Sequence, residues 1–212
     1  MINEVLEVKD YLEGNNISEK CMYRICYLIA KWFHSQGLSP LENREAIFDW
    51  GKQNHVYIKY NVNALIYQAM EDKTPLRDHI KIYISERDIN EILRRFDSKN
   101  CRLLSLAFLT YAKAIGAGKD SFPVLMTSMA NWLHLDNGNI SRLYLPELID
   151  FGYLTKTEAQ KTFTWNKQVK SRALTVRMNV DTKNEGEYLL KDNDIFGLYD
   201  EIFCQSAVRG CV

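Results

Sequence analysis

The chain has 212 residues, enough for one or two domains, and at 46% hydrophobic and 12% aromatic it is not a globally disordered protein. Its formal net charge is zero, from 27 Lys/Arg against 27 Asp/Glu, so the overall balance gives no argument for a nucleic-acid partner and only the distribution of charge can. No apolar run approaches the roughly 20 residues that span a bilayer, the acidic start "MINEVLEVKDYLE" is unlike a secretory leader, and Cys21, Cys26, Cys101, Cys204 and Cys211 form no C-x-x-C pair; together these predict a cytoplasmic protein with free thiols and no membrane partner.

Residues 18–37, "SEKCMYRICYLIAKWFHSQG", predict a helix with Ser18 as N-cap and Gly37 as its stop. Met22, Ile25, Cys26, Ile29, Trp32 and Phe33 recur at helical spacing and predict its buried face. Segments 41–54 and 61–72 predict two more helices, the first with Ala46, Ile47 and Trp50 inward and the second with Leu65, Ile66, Ala69 and Met70 inward. "KIYISERDINEILRRF" (81–96) predicts a short extended piece and then a helix capped by Ser85, with Asp88 three residues on. The polar run 97–101, "DSKNC", predicts a domain boundary.

Beyond it, "RLLSLAFLTYAKAIGAG" predicts a long apolar helix ending at Gly116 and Gly118. "DSFPVLMTSMANWLHL" predicts a helix with Ser121 as N-cap and Pro123 in the first turn, where proline is tolerated. Phe163 and Trp165 alternate, as do Leu174, Val176 and Met178; with the polar turn "NKQVKSR" between them they predict a β-hairpin. The expected fold is therefore mainly α with a small β-hairpin: a helical domain (1–97), a winged helix-turn-helix domain (98–183) and an acidic, aromatic C-terminal tail or helix (184–212). In the tail, Ile195, Phe196, Tyr199, Ile202 and Phe203 have the spacing of an amphipathic helix packed on the body, and the alternative is a segment that docks on a partner protein.

Charge divides along these expected boundaries. Residues 1–97 carry 13 Lys/Arg and 15 Asp/Glu, residues 98–183 carry 12 and 6, and residues 184–212 carry 2 and 6. A local excess of six positive charges is what a phosphate-binding surface requires.

Met129 to Tyr144, "MANWLHLDNGNISRLY", follows the general helix-turn-helix pattern "L-A-x-x-L-G-V-S-x-x-T-V-S-R-x-L". Ala130 takes the small position where two helices cross, and Leu133, Leu135 and Ile140 take buried ones. His134 replaces the turn glycine, in a left-handed position that His enters more often than most residues. Asp136 or Asn137 caps the second helix. Asn137, Asn139, Ser141 and Arg142 then lie early on a recognition helix, where Asn can read adenine, Arg guanine, and Ser can hold a phosphate. That helix should close on a leucine seven residues after Ile140. Leu148 comes at eight, with Pro146 in the extra space, which predicts a π-bulge or kink after a straight stretch from about Asn139 to Leu145. "LIDFGYL" leads into the wing through a turn at Gly152. The wing tip, Lys167, Gln168, Lys170, Ser171 and Arg172, with Lys156 and Lys161 near it, suits contact with the DNA backbone or minor groove.

Residues 84–116 and the block "MANWL…NISRLYLPELIDFGYL" resemble helical-plus-winged-helix proteins of Firmicutes phages and mobile elements, similar to phage replisome organisers and the amino-terminal domains of replication initiators. The likeness spans about residues 18–180 and its motifs are apolar. It implies double-stranded DNA binding in replication initiation or transcriptional regulation. The tail is shorter than the helicase-interacting domain that such organisers carry.

No enzyme is expected. "GAGKDS" (116–121) lacks the G-x-x-x-x-G-K-[ST] spacing of a phosphate loop; His34, His55, His79 and His134 fall in separate segments without metal-ligand spacing; and no nucleophile signature appears. No cofactor or metal is expected. Besides DNA, the sequence leaves open a homodimer formed through the N-terminal helices. It also leaves open a phage-encoded inhibitor that binds a host nucleic-acid enzyme on a winged-helix scaffold.

Overall fold

In the computed structural model of the protein, residues 2–59, 61–78, 81–118, 120–157, 164–165, 168–169 and 173–204 are described. The Asn3 side chain accepts from the Leu6 N–H and starts α1 (Glu4–Leu12). A single 3-10 turn, Glu19–Cys21, precedes α2 (Met22–Ser35), so the Ser18 side chain does not cap it as expected. α3 (Pro40–Gln53) opens with a complete capping box, Ser39 with Glu42, and with Pro40 in its first turn. α4 (Val62–Glu71) is capped by Asn61. Val8, Ile25, Ile29, Ile47, Trp50, Leu65 and Ile66 meet in one core.

Polar contacts tie this core together. Trp50 Nε1 donates to the Tyr11 carbonyl (2.8 Å), and Asn43 Nδ2 to that of Ala30 (2.7 Å). Arg24 donates to Glu7 (3.0 Å), Arg77 to Glu4 (2.6 Å), and both Tyr27 and Lys31 to Asp72 (2.6 Å each). Burial opposes ionisation of Glu7, but the positive charge around it, Arg24 included, holds its carboxyl down at about 2.

The chain divides into two compact units, Asn3–His79 and Ile80–Val212 with Met1–Ile2, not at residue 97. The reason is local. The polar run 97–101 leads through the N-cap Ser98 into the first turn of a helix, α6 (Lys99–Ala114), and Cys101 is already buried. α5 (Glu86–Arg95) belongs with α6 because Ile89, Ile92 and Phe96 join the same core as Leu103, Leu104, Ala107 and Phe108. Asp88, from the Ser85 capping box, also forms a buried pair with Lys113 of α6 at 2.7 Å, and Lys113 donates to the Tyr83 carbonyl as well (2.8 Å).

The tail completes this unit. β1 (Ile82–Ile84) pairs antiparallel with β7 (Tyr188–Leu190), Ile82 opposite Leu190. α10 (Ile195–Tyr199) and a following π turn (Asp200–Cys204) bury Ile195, Leu198, Tyr199 and Ile202 in the core, which is the packed-helix alternative of the sequence.

The β structure differs from a lone hairpin. A three-stranded antiparallel sheet runs in the order β2–β6–β3, from β2 (Phe122–Val124), β3 (Leu154–Lys156) and β6 (Leu174–Met178). β2 stands where Ser121 and Pro123 were expected to start a helix. Phe122 and Val124 alternate inward around exposed Pro123, and an edge strand tolerates a residue without an N–H. α7 (Met126–Trp132) follows without a side-chain cap. Met178 pairs with Leu154 and Leu174 with Val124, so β6 is partnered by β3 and β2 and not by Thr164–Trp165. Between them β4 (Thr164–Trp165) and β5 (Gln168–Val169) pair with each other. Cys21, Cys26 and Cys101 are buried and Cys204 is exposed. Among the described residues no helix is long and apolar enough to cross a membrane.

Candidate nucleic-acid interface

The segment after α7 turns at His134, whose φ of 48° is left-handed and whose ring stacks on Phe196 (5.4 Å, 17°). Trp132 Nε1 donates to the Asn193 carbonyl (2.9 Å), so the tail braces this turn from outside. Asp136, one of the two expected caps, accepts from the Asn139 N–H at 2.9 Å. The helix then has three consecutive parts: α8 (Asn137–Asn139), a π turn (Ile140–Tyr144) and α9 (Leu145–Asp150).

A π turn falls within the eight-residue step from Ile140 to Leu148, as the extra residue predicted, but at Ile140–Tyr144, ahead of Pro146, so the straight stretch expected from Asn139 to Leu145 is absent. The Leu145 N–H reaches the Ile140 carbonyl, five residues back. Pro146 follows with no N–H to place, and the widened turn makes room for its ring one turn back. Ile140, Leu145 and Leu148 point inward, and the outer side carries Ser141, Arg142 and Leu143, all exposed. α9 ends at Phe151, and Gly152 (φ 64°) makes the corner that delivers Tyr153 and Leu154 to the core.

Of the expected reading residues, Ser141 and Arg142 are presented as predicted. Asn139 is half-buried; Asn137 is half-buried too, and its Oδ1 is buried without a hydrogen-bond partner among the described residues. Arg142 Nε donates back to the Gly138 carbonyl (3.2 Å). Lys156 is exposed at the end of β3. Lys161, Lys167, Lys170 and Arg172 lie outside the described residues, as does Ser171; only the backbone pairing of Gln168 is described.

The charge division along the sequence weakens on folding. The unit from Ile80 onward carries 18 Lys/Arg against 16 Asp/Glu, because it takes in α5 and the acidic tail. Several cations of 98–183 are also engaged. Lys113 is buried against Asp88, Arg102 donates to the Phe96 carbonyl (2.6 Å), and Lys99 lies over the Tyr199 ring (5.8 Å). Arg142, Lys156, Arg177 and Lys183 remain exposed. Arg177 lies opposite Thr155 on the face of β6 away from Val176 and Met178, so it does not share a face with Lys156, which is opposite Val176.

Gly116 and Gly118, both left-handed, terminate α6 and lead into β2, not into the helix that a phosphate loop needs. They line an open groove of about 830 Å³ with Arg177 and Lys183, but Asp181 sits among these cations. Among the described residues, no three His, Cys, Asp or Glu side chains are grouped to hold a metal ion. Sequence reading missed Gly138 and Leu143. Their signals were present: a glycine between the capping Asp136 and Asn139, and the eight-residue step from Ile140 to Leu148.

The chain matches no family model, no curated protein and no solved structure. The fold and the geometry of the exposed helix therefore carry the functional argument.

Proposed function

We propose that the protein binds double-stranded DNA through a winged helix-turn-helix, with Ser141 and Arg142 entering the major groove. The order α6–β2–α7–(α8, π turn, α9)–β3–β6, with the sheet ordered β2–β6–β3, supports this reading. One observation carries it: Ser141 and Arg142 stand exposed on the outer side of the second helix, in a stretch from Asn137 to Pro146 that has no acidic residue. Lys156 and the basic cluster Lys161, Lys167, Lys170 and Arg172 supply phosphate contacts from the wing. The resemblance to phage replication proteins points this binding toward replication initiation or transcriptional regulation. The inhibitor alternative gains nothing from the described part of the tail, whose Ile195, Leu198, Tyr199 and Ile202 lie in the core.

Duplex binding across a salt series tests the proposal. With about five phosphate contacts, affinity falls roughly five-hundredfold between about 50 and about 200 mM salt. Arg142→Ala and Lys170→Ala each weaken binding, and Lys170→Ala also flattens the salt slope by about one. Weak binding that is the same at every salt concentration rejects the reading.

A further inference from the structure

The π turn changes which side chains the second helix shows. In an α-helix the neighbours of Ile140 on the core side would be residues 143 and 144. Here the next buried residue is Leu145, five on, in step with the Leu145 N–H to Ile140 carbonyl bond. Leu143 is thereby turned outward and is 56% exposed, directly after Ser141 and Arg142. Gly138 clears the ground beside it. A Cβ there would lie 3.2 Å from Arg142 Nη2 and 2.9 Å from Asp136 Oδ1, so the bare Cα lets the guanidinium lie back over the first turn. Leu143 then follows a cationic residue in the stretch from Asn137 to Pro146, which has no acidic residue although exposed Asp136 borders it, with Ser141 as its other outward neighbour. A single leucine between polar residues is too small for a protein interface, which takes several hundred Å² of contiguous surface. It is the right size for one methyl group.

Resting on the DNA-binding reading above, we propose that Leu143 sets the base preference of the second helix by packing against the 5-methyl group of a thymine in the major groove, beside the base that Arg142 reads. The thymine methyl is the one apolar feature that base edges offer there. The interaction is one methyl removed from water, worth about fourfold in affinity.

The test enriches sites from a randomised duplex pool with the wild-type protein. Each thymine of the enriched duplex is then replaced by deoxyuridine, which removes only the methyl group. Binding is measured for the wild type, Leu143→Ala and Leu143→Asn, with thermal melts showing that the variants remain folded. The expected result is one position where methyl loss weakens the wild type about fourfold and leaves both variants unchanged. No sensitive position, or equal sensitivity in wild type and variants, overturns the assignment of Leu143 while DNA binding stands. If the wild type binds no duplex in a salt-dependent way, the DNA reading itself falls, and this inference with it.

Discussion

Both units of the chain contain a serine capping box, and they use it differently. In Asn3–His79, the Ser39–Glu42 box stands at the surface and closes only its own helix end. In the other unit, the Ser85–Asp88 box is wired inward, because the carboxylate that caps α5 also holds Lys113, whose side chain is 1% exposed. The same local motif is a helix-end device in one place and part of a buried ion pair in the other. Sequence spacing announces the cap; only the partner brought by α6 decides what the cap is worth.

The largest test of this contrast breaks the buried pair. Lys113→Ala leaves Asp88 charged and buried, and costs about 3–5 kcal/mol. Replacing both partners, as Lys113→Met with Asp88→Asn, costs less, because no lone charge remains. Hydrogen exchange on the full chain should show faster exchange in α5 and α6 and no change in α2 or α3.

The next test is acidification. The folded value of Glu7 lies below its unfolded value of 4.5, so its contribution is complete above about pH 4.5 and disappears as the pH falls toward about 2. Protection in α1 and α2 should fall over that window, and Glu7→Gln should be less stable at neutral pH but lose less on acidification. A wild-type profile that stays flat from pH 5 to about 2 would exclude this role.

The smallest effect comes from the caps themselves. Ser39→Ala should cost ~0.5–1 kcal/mol, and Ser85→Ala more, toward ~2 kcal/mol, because Ser85 also donates to the Asp88 oxygen that holds Lys113 (2.9 Å). Thermal melts of the two variants measured side by side decide this, and equal shifts would show that the two boxes are energetically alike.

Much of this architecture is legible from residue spacing. α2 through α6 follow from apolar periodicity, and the extra residue between Ile140 and Leu148 marks the π turn. Where sequence reading failed, the deciding contact was distant. "DSKNC" reads as a linker because a helix's first turn is polar, and only the packing of Phe96 and Cys101 shows that the chain does not divide there. Phe122–Val124 is too short to show a period, and its pairing with Leu174–Val176 makes it a strand. The site was half legible. Arg142 and Ser141 follow from the motif, whereas the outward turn of Leu143 depends on a hydrogen bond five residues long.

The pairing of β1 with β7 has a consequence for synthesis. Ile84 and its partner Tyr188 are about a hundred residues apart, so at ordinary elongation rates β1 emerges from the ribosome about 5 to 20 s ahead of β7. During that interval α5 and α6 can assemble around Asp88 and Lys113, but β1 has an open edge, and open strand edges invite pairing with other chains. The edge of β1 that β7 covers is therefore open to wrong partners for one brief window, which closes when the last strand arrives.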